Sequence, residues 1–210
     1  MQTNNEILDM LTEAGHCVLV TSEDNPKFFE ICANILQRSK EKGHFCFLET
    51  NELKEEDSKR IATNIFKHIN PDLLDMVNTA RIGDEDSMCG SGLEFSPIIF
   101  KDFLKNVQAD MKKRNLKGFT SVHTSTYQFY KAIKNPDVFM IDGELLTTHT
   151  FQSIPNSLVL CSYRLKPHEF QDKHLAKLLA YHKVVVFLDE KGKLMCDEDA
   201  AMAILDRMGV

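Results

Sequence analysis

His16-Cys17-Val18-Leu19-Val20-Thr21-Ser22-Glu23-Asp24-Asn25-Pro26-Lys27-Phe28-Phe29 and, after Gly43, His44-Phe45-Cys46-Phe47-Leu48 are the stretches that decide the fold. Neither apolar run alternates with polar residues, which is the pattern of a strand covered on both faces. Between them Phe28, Phe29, Cys32, Ile35 and Leu36 recur at intervals of three and four. That spacing predicts a helix over residues 26–42, with Asn25 as its N-cap, Pro26 as its first residue and Gly43 as its stop. A strand, a helix and a second strand of this length form a crossover unit, which joins parallel strands.

Outward from this unit the same logic repeats. Thr3-Asn4-Asn5-Glu6 has capping-box spacing ahead of Ile7, Leu8 and Leu11, so a short helix precedes the first strand and Gly15 ends it. Residues 51–70 predict a surface helix through Ile61, Ile65, Phe66 and Ile69. Residues 81–96 are rich in Gly, Ser and Asp and read as a loop and candidate lid. Ser96-Pro97 opens a long amphipathic helix through Phe100, Phe103, Leu104, Val107 and Met111. Further strands are predicted over residues 119–123, 158–163 and 184–188, with a helix over 175–181. The expectation is one α/β domain over residues 1–210, with a mostly parallel sheet of at least five strands.

Composition narrows the function. With 43% hydrophobic and 27% charged residues the chain is neither disordered nor a coiled coil. A formal net charge of −6 opposes a nucleic-acid partner, since phosphate binding needs a basic surface. None of the six cysteines lies in a C-x-x-C pair, and a chain of 210 residues needs no staples, so they are expected to be reduced thiols. The opening MQTNNEILDM lacks a basic-then-apolar leader, and residues 184–188 are far too short to span a bilayer. A cytoplasmic protein with no membrane partner is expected.

The segment Thr21-Ser22-Glu23-Asp24-Asn25-Pro26-Lys27-Phe28 stands where a phosphate-binding loop, G-x-x-x-x-G-K-[ST], would stand. Only Lys27 fits. Pro26 deletes an amide donor, Phe28 replaces the magnesium-binding hydroxyl, and Glu23 and Asp24 put negative charge where phosphates would lie. ATP turnover is therefore not expected. Val138-Phe139-Met140-Ile141-Asp142 resembles the apolar strand with a terminal metal-binding Asp of such ATPases, but without the loop Asp142 has no nucleotide to serve. No G-x-S-x-G elbow is present, and no H-x-H or H-E-x-x-H spacing, so no catalytic residue, metal or cofactor is assigned. Ligands of open α/β sheets gather at the carboxyl ends of the strands. That rule nominates Glu23, Asp24, Glu49, His123, Tyr163 and Arg164 for one cleft. His16 and His182 precede their strands and are placed at the opposite edge.

Taken together, several short motifs resemble the MEDS (methanogen/methylotroph DcmR sensory) domain family. They are Gly15-His16 before a strand, Phe28-Phe29 leading to Lys42-Gly43-His44, and Phe95-Ser96-Pro97 leading to Lys117-Gly118-Phe119. Leu160-Cys161-Ser162-Tyr163 is similar to the family's Cys-x-Tyr strand, and Leu178-Leu179-Ala180-Tyr181-His182 to its late helix ending in histidine. The likeness covers about residues 14–190. It implies a RecA/KaiC-like three-layer scaffold of archaeal or bacterial type and a sensory role toward small hydrocarbon-derived ligands. The positions it singles out are His16, Glu144, Cys161 and His182. Arg164 and Lys183 depart from the family pattern, as does the run Thr120-Ser121-Val122-His123-Thr124.

Three function classes follow. The first is a non-catalytic sensory module binding a small organic ligand. The second is a scaffold in signalling that binds a protein partner or itself as a homodimer. The third is a histidine-assisted enzyme. A closed apolar pocket favours the first, a flat apolar patch the second, and a histidine–carboxylate pair facing a cleft the third.

Overall fold

The computed structural model describes residues 2–84, 93–152, 154 and 156–209. In chain order its elements are α1 Asn4–Leu11, β1 Gly15–Ser22, α2 Phe28–Glu41, β2 His44–Glu49, α3 Glu55–Phe66, β3 Met76–Asn78 and α4 Pro97–Lys113. Then come β4 Gly118–His123, α5 Thr126–Ala132, α6 Pro136–Val138 running through a π-helical turn Phe139–Gly143 into α7 Glu144–Gln152, and β5 Ser157–Leu165. The chain closes with α8 Leu175–Leu179, β6 Val184–Leu188, β7 Leu194–Cys196 and α9 Asp197–Met208.

The strands form one seven-stranded sheet in the order β3-β2-β4-β5-β1-β6-β7, parallel except for the β6–β7 pair. All five strands expected from the apolar runs are present. The two added strands, β3 and β7, are three residues long and sit at the edges, too short to leave a pattern in sequence. The sheet separates two cores. Cys17, Leu19, Cys46, Leu48, Val122, Leu158 and Leu160 face α1, α2 and α3. Val18, Val20, Phe45, Phe47, Phe119, Cys161 and Tyr163 face α4, α5, α8 and α9. This is a three-layer α/β domain, and the alternation of faces along each buried strand follows from the period of two.

Local signals explain most boundaries. Thr3 caps α1 with the full capping box shared with Glu6. Ser96 caps α4, with Pro97 in its first turn. Gly43, at φ +82°, ends α2 in a conformation that side chains disfavour. Two expectations need correction. α2 starts at Phe28 rather than Pro26: Asn25 Oδ1 accepts the Lys27 N–H at 2.9 Å, as a cap does, but its Nδ2 also donates to Thr21 Oγ1 at 2.8 Å and the Asp189 carbonyl at 2.8 Å. This turn holds the loop to the end of β6 and delays α2 to Phe28. Residues 138–142 are helical rather than a strand, and Asp142 is exposed. Of the candidate lid 81–96, residues 85–92 lie outside the described residues.

One buried carboxylate ties the layers together. Asp75 accepts the Cys46 amide at 2.7 Å, Lys40 Nζ at 3.0 Å and a guanidinium N–H of Arg114, joining β2, α2 and the end of α4. Burial alone would raise its pKa, but the Cys46 amide, Arg114 and Lys40 outweigh that and hold it below the ordinary 3.8. A depressed pKa contributes stability that is complete above the unfolded value and is lost as pH falls through the folded one. Asp75→Asn is expected to cost about 1–3 kcal/mol near neutrality. The gap between variant and wild type should shrink as pH falls below about 4, where the unfolded carboxyl protonates. Urea unfolding across that range checks this, and a gap that stays constant would refute it.

Candidate functional site

Sheet register creates the site. Glu49 pairs with His123, His123 with Cys161 and Cys161 with Val18, so these residues form one lateral row across β2, β4, β5 and β1. The row two residues earlier holds Phe47, Ser121, Val159 and His16. Residues two apart share a face, so both rows lie under the helical layer of α4, α5 and α7.

At the carboxyl ends of β2 and β4 this polar strip borders a cavity of about 70 Å³. Phe95, Phe100, Phe103, Phe129 and Phe139 wall it, while Ser121, His123, Glu49, Glu144 and Cys161 supply polar groups. His123 Nδ1 lies 2.6 Å from Glu49 Oε2, and its Nε2 lies 2.5 Å from Ser121 Oγ. Asn51 Nδ2 donates to the other Glu49 oxygen at 2.8 Å. With the carboxylate accepting Nδ1–H, His123 Nε2 is the basic nitrogen and the Ser121 hydroxyl is its donor.

The second cluster lies deeper. His16, Glu144, Cys161 and His182 place one ligand-type atom each within 4.8 Å of one another. His16 Nε2 is 3.2 Å from Glu144 Oε2 and 3.4 Å from Cys161 Sγ, and His182 Nε2 is 3.7 Å from the same carboxylate oxygen. Glu144 arrives there because the π-helical turn Phe139–Gly143 shifts the phase of the helix just before α7, a device frequent at functional sites. Gly143 is required for the approach, since a Cβ there would come within 2.9 Å of the Phe139 ring and 3.1 Å of Phe95. Burial pushes the His182 imidazole down to about 4, so it is a neutral base near neutral pH. Burial, reinforced by Glu144, pushes the Cys161 thiol and the Tyr163 phenol well up.

The sequence-derived residues divide. Glu49 and His123 meet in the cavity. Tyr163 is buried beside it, its ring edge-on to His182 and its hydroxyl without a hydrogen-bond partner among the described residues. Arg164 turns the other way, pairing with Glu52 at 3.2 Å and lying over the Phe28 and Phe29 rings. Glu23 is half-buried, 3.9 Å from Lys166 Nζ, and Asp24 is exposed. The six therefore do not share one cleft. His16 and His182 lie at the amino ends of β1 and β6, the edge at which sequence reasoning placed them, and there they join Glu144 and Cys161 in one buried cluster. Ser121 and the phenylalanine walls were missed; the parity of Ser121 with His123 is the signal that would have found the first.

The loop after β1 is spent on itself. The amides of Glu23, Asn25, Lys27 and Phe28 donate to the Leu165 carbonyl, the Ser22 carbonyl, Asn25 Oδ1 and the Asn25 carbonyl, and Lys27 Nζ pairs with Glu30 at 3.0 Å. These donors are the ones an anion at a helix start would need.

No family model matches the chain, and no curated protein sequence matches it. Among solved structures it is similar to the flagellar accessory protein FlaH from Methanocaldococcus jannaschii, with a TM-score of 0.48 and 10% identity, covering 89% of this chain and 78% of that one. Among the described residues, no helix is long and apolar enough to cross a membrane.

The loop geometry yields a direct expectation. Calorimetric titration with magnesium-ATP should give no binding heat, and Lys27→Ala should alter stability by no more than about 0.5 kcal/mol, as an exposed substitution does. ATP turnover abolished by that substitution would contradict it.

Proposed function

We propose that the chain is a non-catalytic sensory module that binds a small organic molecule in the cavity over β2 and β4, on a RecA-like scaffold without ATP hydrolysis. The observation that carries this reading is the cavity itself, an apolar chamber with a few convergent polar groups, the usual make-up of a small-molecule site. Its size suits a small molecule and not a nucleotide. The phenylalanine walls favour an apolar body. The Glu49–His123 pair, with its carboxylate already held by Asn51 and by His123 itself, favours a single hydroxyl or carbonyl at the polar end. The resemblance to MEDS domains points the same way, since the four positions it singles out, His16, Glu144, Cys161 and His182, form one cluster of which Glu144 and Cys161 line the cavity.

A second reading has its own observation. Ser121, His123 and Glu49 stand in the order nucleophile, base and orienting carboxylate, with contacts of 2.5 and 2.6 Å. Against it, Ser121 lies inside β4, a strand paired on both sides, where backbone amides serve the sheet rather than an oxyanion.

Native mass spectrometry of purified protein, followed by thermal-shift titration with short-chain and aromatic alcohols and ketones, separates these readings. A bound species is expected. Its affinity should fall about tenfold in His123→Ala, near the ~1.4 kcal/mol of one hydrogen bond, and vanish in Thr147→Phe, which fills the chamber. Binding that ignores both substitutions, or none at all across the panel, would sink the sensory reading. Ester hydrolysis lost in Ser121→Ala while binding persists would establish the enzyme.

A further inference from the structure

Apart from the weak S–H donor of Cys161, the buried quartet His16, Glu144, Cys161 and His182 presents electron pairs where a folded core would want hydrogen-bond donors. His182 Nδ1 lies 3.0 Å from the Leu178 carbonyl, which can only accept, so the ring N–H is on Nδ1 and Nε2 carries a lone pair. The Thr148 hydroxyl donates to the Glu144 carbonyl at 3.0 Å and therefore accepts from His16 Nδ1–H at 2.9 Å. In the neutral ring, His16 Nε2 then carries a lone pair as well. Both Nε2 atoms point at Glu144 Oε2, and His16 Nε2 points at Cys161 Sγ too. Among the described residues Glu144 Oε1 and His182 Nε2 have no hydrogen-bond partner, although both side chains are at most 2% exposed.

Facing lone pairs repel unless an electrophile stands between them. One proton can bridge one pair of these atoms, whereas one metal ion can serve all four. A tetrahedral ion with bonds of about 2.0–2.3 Å separates its ligand atoms by about 3.3–3.8 Å. Three of the six separations, 3.2, 3.4 and 3.7 Å, lie at or close to this range, and all four atoms lie within 4.8 Å of one another, so a small contraction closes the set. Each imidazole also gives its remote N–H to a carbonyl or hydroxyl oxygen, the arrangement that fixes the tautomer of metal-bound histidines.

We propose that His16, Glu144, Cys161 and His182 bind a divalent transition-metal ion, for which zinc is the best fit. Two imidazoles and a thiolate exclude magnesium and calcium, which take oxygen ligands. On binding, Cys161 loses its S–H proton to solvent, and the ion replaces that proton at sulfur. Access exists from both ends: a surface groove beside Gly15, Thr148 and Lys183 reaches His16, and the cavity reaches Glu144 and Cys161. The site is independent of the proposed ligand, since its four donors come from the protein.

The test uses the full chain, free of any histidine tag and purified without chelator from zinc-supplemented cells. Elemental analysis should find about one zinc per chain, and chelation followed by cobalt titration should give tetrahedral visible bands with a near-ultraviolet thiolate–cobalt band. Cys161→Ser should abolish the charge-transfer band, and Glu144→Gln should weaken cobalt binding tenfold or more. Should either variant fail to fold, the wild-type chain still decides: zinc should raise its melting temperature and chelator should reverse the rise. Absence of metal together with absence of the thiolate–cobalt band in the folded wild type overturns the proposal. So do cobalt bands that survive both substitutions, which would place the ion elsewhere.

Discussion

A carboxylate inside an apolar layer is the constraint around which the upper half of this molecule is arranged. Glu144 is 2% exposed and packed beneath α4 and α5, where an uncompensated charge costs several kcal/mol. The surrounding irregularities are explicable as means of holding it there. The π-helical turn sets its direction, Gly143 lets the backbone approach Phe95 and Phe139, and Thr147 and Thr148 donate to the freed carbonyls of Gly143 and Glu144. His16 Nε2 stands within hydrogen-bond distance of its oxygen but, in the neutral ring, turns a lone pair toward it, and His182 is farther away and is kept neutral by its own burial. Neither imidazole then compensates the buried charge.

The fold was legible because its signals are local and repeated. Buried runs such as Cys17-Val18-Leu19-Val20 and Cys46-Phe47-Leu48, spaced by one amphipathic helix, admit few arrangements other than parallel strands covered on both sides. The site was legible only in part, because it depends on register. Sequence periodicity says that Ser121 and His123 share a face, and that His16 shares one with Val18. It does not say that β5 lies between β4 and β1, which is what sets Cys161 beside His123 and near His16. The rule that ligands sit at the strands' carboxyl ends picked out Glu49 and His123, which the structure brings together at the cavity. It failed for Arg164, whose guanidinium is drawn to Glu52 and to the faces of Phe28 and Phe29.

The same register explains why the loop after β1 and the cavity are separate places. Thr21 and Ser22 end the central strand, but the amides that follow turn back on the loop through Asn25, and Arg164 and Glu52 stand over it as an ion pair. The polar strip lies two and three strands away, over β2 and β4. A scaffold of this kind can therefore lose the chemistry of its first loop and still keep a chamber elsewhere, since the two draw on different strand ends.

Stability alone gives no reason for the strip. Replacing a buried ion pair by apolar side chains of similar volume is often neutral or stabilising, and the walls here are already phenylalanine. A core selected only to fold would close over Glu49, His123, Glu144 and His16 with leucine or valine and gain from it. Instead two histidine–carboxylate pairs adjoin one cavity, with Cys161 laterally beside His123 and in contact with His16. The cavity borders Glu144 and Cys161 as well as His123, so those two side chains belong both to its wall and to the deeper quartet. The polar groups therefore run from the carboxyl ends of β2 and β4, at Glu49 and His123, to the amino ends of β1 and β6, at His16 and His182.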